Sequence, residues 1–475
     1  MIIAFARMSI SFRILGHACT VIESNGRRLL IDPWLIGSCY WRSWWHFPQA
    51  VDVTPDLFDV DAIYITHGHF DHCHYPTLRK FNRSVQIVIA RFITDRLRAG
   101  VESLGFENIV ELSHGAPLEL EGGLTLYSYQ HGFDDSAVVL ESAECTILNL
   151  NDSHVTGLAL RQILKRHPKI DFLFRSHAPA QAYPICYEAE DPSELEFHRR
   201  EDYIARFENS VRIMQPKHAI PFASNVCHLH SETFRFNRHN ITPAEVSAHC
   251  RHAFGAKSPV VIMAPGDSWN AETGFHINNA GNDAGEYSDL DGALSRLSES
   301  AQPLLKWYYK EEGTVVPDFQ FFRDYMTEFI RALPVGIQIV FQPVIVFDQP
   351  AADYRYWVVD FSRHTVFKTS QMPPNTNSVI VIHPAVLMDA VAKSTLFFVH
   401  ISKRMRVWVR KGGMKEEFKF WGLLQLYETG YLPLRNMISP RAVPILWRRR
   451  YEILELLRSS LRSGRFEEKA VPEVY

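Results

Sequence analysis

Within the six residues His67-Gly68-His69-Phe70-Asp71-His72, four side chains are of metal-ligand type. Imidazole and carboxylate suit divalent first-row metals. The segment follows Ile63-Tyr64-Ile65-Thr66, so it begins where a buried strand leaves its sheet. At such an exit His67 and His69 can converge on one cation. Asp71 and His72, further round the turn, can face a second. Packing four such groups together without a cation is costly, because each must give up its water. Two later positions have the same context. His131 ends the strand-like LTLYSYQ and Asp152 ends TILNLN, which makes Asp152 the natural bridging carboxylate. The last ligand is open among His228 and His230, which flank Leu229, and His218. Of 22 histidines, 17 lie in the first 250 residues, which puts the candidate chemistry in that half.

Several neighbours could serve this site. Asp152 with His154 and His177 are the candidate catalytic residues: His154 could line the cavity, and His177 stands at the exit of DFLFRS. His17 and His74 could support the ligands from behind, and Asp135 could orient His131 through its second ring nitrogen. Cys73 is not needed as a ligand. Tyr40-Trp41-Arg42-Ser43-Trp44-Trp45-His46-Phe47 is dense in aromatics for a loop. Trp41, Trp44, Trp45 and Phe47 are expected to line or lid an apolar approach to the metals.

The elements that must position these residues alternate early between short strands and turns. Strands are expected at 10–15, 18–23, 28–31, 62–66, 86–90, 118–120, 124–130, 136–140, 146–150, 170–175 and 219–221. Helices are expected at 91–99, 158–166, 194–212 and 243–254. This is a layered α/β sandwich rather than a doubly wound sheet. The Gly/Asn/Asp-rich stretch Pro265–Asp291 reads as a long loop, and a soft boundary falls near residue 300. Two domains are expected, 1–300 carrying the metals and 301–475 an α+β unit. In the second, helices are expected at 319–333, 421–430 and 448–462, and strands at 336–347, 354–360, 378–383, 396–401 and 405–409. The tail after Gly464 is polar. Positive charge gathers from Lys403 to Lys419 and could meet a phosphorylated carrier such as coenzyme A.

Composition narrows the function classes. With 50 Lys+Arg against 53 Asp+Glu the net charge is −3, no pattern for a general nucleic-acid binder. Seven cysteines without a CxxC pair exclude a disulfide scaffold and a thioredoxin-type pair. No apolar run approaches the length of a membrane-spanning helix, and the early arginines argue against a secretory signal, so a cytoplasmic location is expected.

THGHFDH, with Leu30-Ile31-Asp32-Pro33 upstream, resembles the signature of the metallo-β-lactamase superfamily over roughly residues 10 to 270. The resemblance implies an αββα sandwich. It implies His67, His69 and His131 on one metal, Asp71, His72 and a late histidine on the other, and Asp152 between them. THGHFDHCHYPTLRKF, ILNLND and QPKHAIPFA further resemble the metal-binding domain of CMP-N-acetylneuraminate hydroxylases, which implies His230 as the late ligand, with His228 its competitor. The chain departs from that family in having no Cys-x-His followed further along by a Cys-x-x-His, the pairing a Rieske cluster needs. It also resembles natural-product diiron monooxygenases of this fold. The implied function is a non-haem diiron monooxygenase with O₂ as co-substrate. It would hydroxylate an apolar small molecule, such as a terpenoid or an acyl thioester of secondary metabolism, free or linked to coenzyme A. Its electrons would come from an external ferredoxin or reductase. The alternative is a dinuclear zinc hydrolase of an ester, amide or phosphoester, because the same ligands serve either chemistry.

Overall fold

The computed structural model describes residues 10–196, 199–278 and 289–455. An eight-stranded sheet runs Gly274–His276, Ser268–Asn270, Ile10–Ile14, Thr20–Ser24, Arg27–Ile31, Ala62–Ile65, Gln86–Ala90 and Ile109–Leu112 in spatial order. A six-stranded sheet runs His218–Pro221, Phe172–Arg175, Thr146–Asn151, Asp135–Glu141, Leu124–His131 and Pro117–Leu120. Side-chain alternation explains why the two sheets stack. Phe12, Ile22, Leu29, Ile31, Tyr64 and Val88 of the first sheet meet Leu126, Val138, Leu140, Ile147 and Phe174 of the second. The intervening residues face outward. Val21, Leu30, Ile63, Ile65, Ile87 and Ile89 receive Leu78, Phe81 and Val101 from the short helices Tyr75–Leu78 and Arg96–Glu102 and the loops around them. Val139, Leu148, Leu150 and Leu173 receive Leu160 and Ile163 of helix Gly157–Arg166. Helices Arg200–Met214 and Pro243–Phe254 pack beside Ala219 at the sheet's edge. The result is the expected αββα sandwich.

A third, six-stranded sheet runs Tyr187–Ala189, Met405–Val409, Ser378–Ile382, Val344–Asp348, Tyr356–Asp360 and Thr365–Thr369. Helices Phe319–Ala332, Pro384–Ala392 and Met414–Glu428 cover it. Its core is continuous with Trp34, Tyr40, Trp41 and Trp44 of the sandwich. Tyr187–Ala189, from the first half of the chain, forms the sheet's edge against Met405–Val409. The expected boundary at residue 300 lies inside the helix Leu290–Glu312.

Several elements differ from the sequence reading. Within the expected loop Pro265–Asp291, a hairpin extends the first sheet by pairing Ser268–Asn270 with Ile10–Ile14. Residues 279–288 of that stretch lie outside the described residues. The expected strand 336–347 is a helix, Val335–Val340, followed by the strand Val344–Asp348. Pro334 caps that helix, and Pro343 separates it from the strand. The expected strand 396–401 is the helix Phe398–Ser402, buried throughout, where a run apolar but for His400 carries no period to read. Leu290–Glu312 escaped detection because Gly292 and Pro303 interrupt it, although Ala293, Leu294, Ala301 and Leu305 keep helical spacing on its buried face. Of the expected helix 448–462, residues 448 and 450–455 are helical, and 456 onward lie outside the described residues, as does the tail after Gly464.

Candidate metal centre

The strand Ala62–Ile65 delivers Thr66 to Asp32, which sits in the turn after the neighbouring strand Arg27–Ile31. Asp32 has φ +47°, a left-handed conformation that Asp adopts more readily than most residues. Its Oδ1 accepts from the Thr66 amide and its Oδ2 from the Thr66 hydroxyl, both at 2.8 Å. The His72 Nδ1 lies 2.8 Å from Oδ2, and the Asn151 amide donates to it at 3.1 Å. The Thr66 hydroxyl also contacts the His67 Nδ1 at 2.9 Å. One buried carboxylate thereby fixes the outer nitrogen of His72 directly and that of His67 through Thr66. Their Nε2 atoms are left to point inward.

Two groups of donors result: His67, His69 and Asp152, and His17, Asp71 and His72. In each, one ligand atom per residue lies within 4.8 Å of the others. Asp152 joins them. Its Oδ2 is 3.8 Å from the His67 Nε2 and its Oδ1 is 3.6 Å from the His72 Nε2. The Asp71 Oδ2 is 3.3 Å from the His72 Nε2 and 3.1 Å from the His17 Nε2, while the Tyr40 hydroxyl donates to Oδ1 at 2.6 Å. The Nε2 atoms of His67, His69 and His72 and the Oδ1 of Asp152 are buried and make no hydrogen bond. Lone-pair atoms facing one another in this way are costly unless a cation lies between them. The donor sets therefore fit a dinuclear metal centre.

The electrostatics agree. Burial disfavours charge on His72, but Asp71, Asp152 and Asp32 outweigh it and hold the imidazole well above its ordinary value. Burial lifts the Asp71 carboxyl, and the charge of His72 with the hydrogen bond from His17 overcomes this and pulls it well down. Burial and the neighbouring acids raise Asp152 and Asp135. Crowded carboxylates here demand positive charge, which either a proton or a divalent ion can supply.

The other candidates are placed as follows. His131, the last residue of its strand, has its Nδ1 3.3 Å from the Glu452 carboxylate, while Glu452 accepts from the Gly132 amide and is gripped by Arg449. Asp135 pairs with His131 across the two strands, and its Oδ1 stands 3.4 Å from the His67 Nδ1. His154 is half-buried, and desolvation with the charge of Arg175 and His131 lowers it well below its ordinary value. His177 is tied to the Ile241 carbonyl at 3.2 Å, and burial lowers it to about 4. His74 caps the helix Tyr75–Leu78 through Thr77. His218 stacks on Phe172 and meets Phe275 edge-to-face. His228 contacts the Ser43 hydroxyl at 3.2 Å. The His230 Nε2 is 3.3 Å from Glu312, and its Nδ1 accepts from the Glu232 amide at 3.3 Å. His17 takes the place beside Asp71 where the sequence led us to expect a late histidine.

The aromatic run does not form a lid. Trp41 and Trp44 are buried, donating to Asp389 at 2.8 Å and to the Ile401 carbonyl at 3.2 Å. Phe47 and Trp45 pack under the helix Leu290–Glu312. Trp44 backs the site, its ring 6.0 Å from His17. The Phe398 ring lies 4.8 Å from His69, and Phe70 packs 5.2 Å from Phe398. Lys403 and Arg404 leave the expected basic patch: both are buried, Lys403 over the Trp44 ring at 5.3 Å. Sequence reasoning missed Asp32, Tyr40, Phe398 and Glu452 as parts of the site. A carboxylate in a turn directly after an all-apolar strand was a readable signal for Asp32. The other three reach the site only through long-range packing.

Residues 11–169 match the model of the beta-lactamase superfamily domain. Together with the layering, this gives the metallo-β-lactamase superfamily fold. A protein of Mycolicibacterium smegmatis named as a Rieske 2Fe-2S iron-sulfur protein is 26% identical over 49% of this chain and 47% of its own length. The cytidine monophosphate-N-acetylneuraminic acid hydroxylase of Mus musculus is 31% identical over 32% of this chain and 27% of its own. The chain thus spans about half the length or less of these curated relatives. Among solved structures, the isothiocyanate hydrolase from Delia radicum gut bacteria aligns with a TM-score of 0.40 and 19% identity, over 55% of this chain and 98% of that one. Among the described residues, no helix is long and apolar enough to cross a membrane.

Proposed function

We propose that the protein is a dinuclear metal-dependent hydrolase acting on a small ester, amide or phosphoester with an apolar part. The observation that carries this reading is the position of Asp152, whose two oxygens face one histidine of each donor group, His67 and His72. Two divalent ions held there would supply Lewis acidity and lower the pKa of water. The chain's own residues do the rest. His67, His69 and Asp152 would hold one ion, with His131 completing the set from its strand end. Asp71 and His72 would hold the other, with His17 beside them. Asp32 keeps both inner imidazoles aimed, and Tyr40 fixes the rotation of Asp71. Phe398 and Phe70 form an apolar wall next to His69 that would seat the acyl or alkyl part of the substrate. Hydrolysis needs only water beyond what these residues would hold.

A second reading, a diiron monooxygenase, rests on the names of the hydroxylase and Rieske relatives. It requires two electrons from an external donor such as a ferredoxin or reductase. Turnover of an ester and amide panel in H₂¹⁸O separates the two. Label entering from water, with full activity as a zinc protein, supports the hydrolase. Substrate-dependent O₂ consumption with label from ¹⁸O₂ overturns it in favour of the oxygenase.

A further inference from the structure

The helix Ala442–Arg448 buries Ala442 and Ile445 against Ile93 and Tyr431. Its other face presents Val443 and Trp447, 53% and 69% exposed and one turn apart. The adjoining short helix Leu434–Ile438 adds Leu434 at 53% and Ile438 at 77%. Four large apolar side chains thus stand in water within one short stretch, far more than an isolated exposed residue.

The charge along this stretch of chain has one sign. From Thr429 to Tyr451 the chain holds no Asp or Glu but five arginines. Two are neutralised inside the fold, Arg441 by Glu111 and Arg449 by Glu452. Arg435, Arg448 and Arg450 form no described ion pair. Arg435 and Arg448 are exposed, and Arg450 lies over the Trp447 ring at 5.2 Å. An interfacial tryptophan, aliphatic side chains beside it and arginines at the rim match the apolar boundary and negative headgroups of a bilayer. A second copy of the same surface would instead set arginine against arginine.

We propose that the face carrying Leu434, Ile438, Val443 and Trp447 docks the protein peripherally on an anionic lipid surface. Arg449 and Glu452 directly follow this face and clasp Gly132, beside His131. A protein docked there would hold the loop of His131 close to the bilayer. The proposal stands independently of which reaction the metal site performs.

Sedimentation with vesicles of phosphatidylcholine alone, and with phosphatidylglycerol added, tests it on the full chain. Binding is expected only to the anionic vesicles and to weaken with salt. Replacing Ile438 and Trp447 together by Ser should reduce it at least tenfold, and each of Arg435→Ser and Arg448→Ser about fivefold, equivalent to about 1 kcal/mol per charge. Both positions are exposed, so unchanged thermal unfolding and metal content should accompany the loss. Equal sedimentation with neutral and anionic vesicles, or none with either, overturns the proposal. So does a dimer of the wild-type chain that the Ile438→Ser/Trp447→Ser variant converts to monomer without any vesicle binding.

Discussion

Two buried clusters in this molecule are built from the same residue types and solve the same problem differently. Around Asp152, histidines and carboxylates face one another with buried nitrogens and an oxygen that make no hydrogen bond. Around Glu312, a histidine and two carboxylates also converge, but Arg404 lies among them. Its guanidinium is fully buried, donating to Glu312 at 2.7 and 3.0 Å, to Glu232 at 3.0 Å and to the Trp41 carbonyl at 2.9 Å. Burial raises the Glu312 carboxyl, yet hydrogen bonds from His230 and Arg404 overcome this and bring it to about 2. In one cluster the cation is part of the chain, and in the other it must come from solution. Residue type alone does not separate them; the partner of each polar atom does. A third solution appears at Glu417, where neither is present. Burial pushes that carboxyl up to about 7 against modest help from Ser378 and Trp421, so the charge is removed by a proton.

The contrast can be broken most forcefully at the first cluster. The double variant His67→Ala/Asp152→Ala should lower bound metal from about two equivalents to below one and reduce turnover by about 10³-fold or more. Metal analysis of the purified protein checks this, and unchanged content would merge the two clusters into one kind.

Next in size is Arg404→Met. It leaves the buried Glu312 and the half-buried Glu232 without their cation and should cost about 3–5 kcal/mol in chemical denaturation. Metal content should stay at about two equivalents. His230→Ala should cost less, about 1–3 kcal/mol, again with both metals retained. Loss of one metal in His230→Ala would transfer that histidine to the first cluster, where the sequence placed it.

Asp32→Ala should weaken metal binding about 10- to 100-fold with the donor set intact, since it orients the ligands from behind. Competition with a chelator reads this directly.

The smallest effect is at Glu417. Its folded value of about 7 stands above the 4.5 of an ordinary glutamate. The protonated form is the one the fold favours, so its contribution is fully present below about pH 4.5 and is lost as pH rises through about 7. Glu417→Gln should flatten the fall in stability between those values, by roughly 1–3 kcal/mol at pH 8. Parallel unfolding curves for both proteins at pH 5 and pH 8 would refute the proton solution.

Much of the sandwich was legible because its strands alternate and its turns carry Gly, Pro and Asp. Gln86–Ala90 and Pro243–Phe254 fall where the pattern puts them. The HxHxDH segment was legible for the same reason: its chemistry is contiguous. The pairing of His17 with Asp71 and the capture of His230 by Glu312 were not, because each joins residues far apart in sequence. The aromatic run was expected to line or lid the approach to the metals, and composition does not say which surface a ring meets. Here it meets the third sheet, and the two halves of the chain share one core through it.

The most direct measurement is anomalous scattering at the zinc and iron edges from crystals of protein purified with its metals. The account expects two peaks, roughly 3.5–4 Å apart, one on each side of Asp152, and none at Glu312. A single peak, no peak beside Asp152, or a peak held by His230 and Glu312 would contradict it.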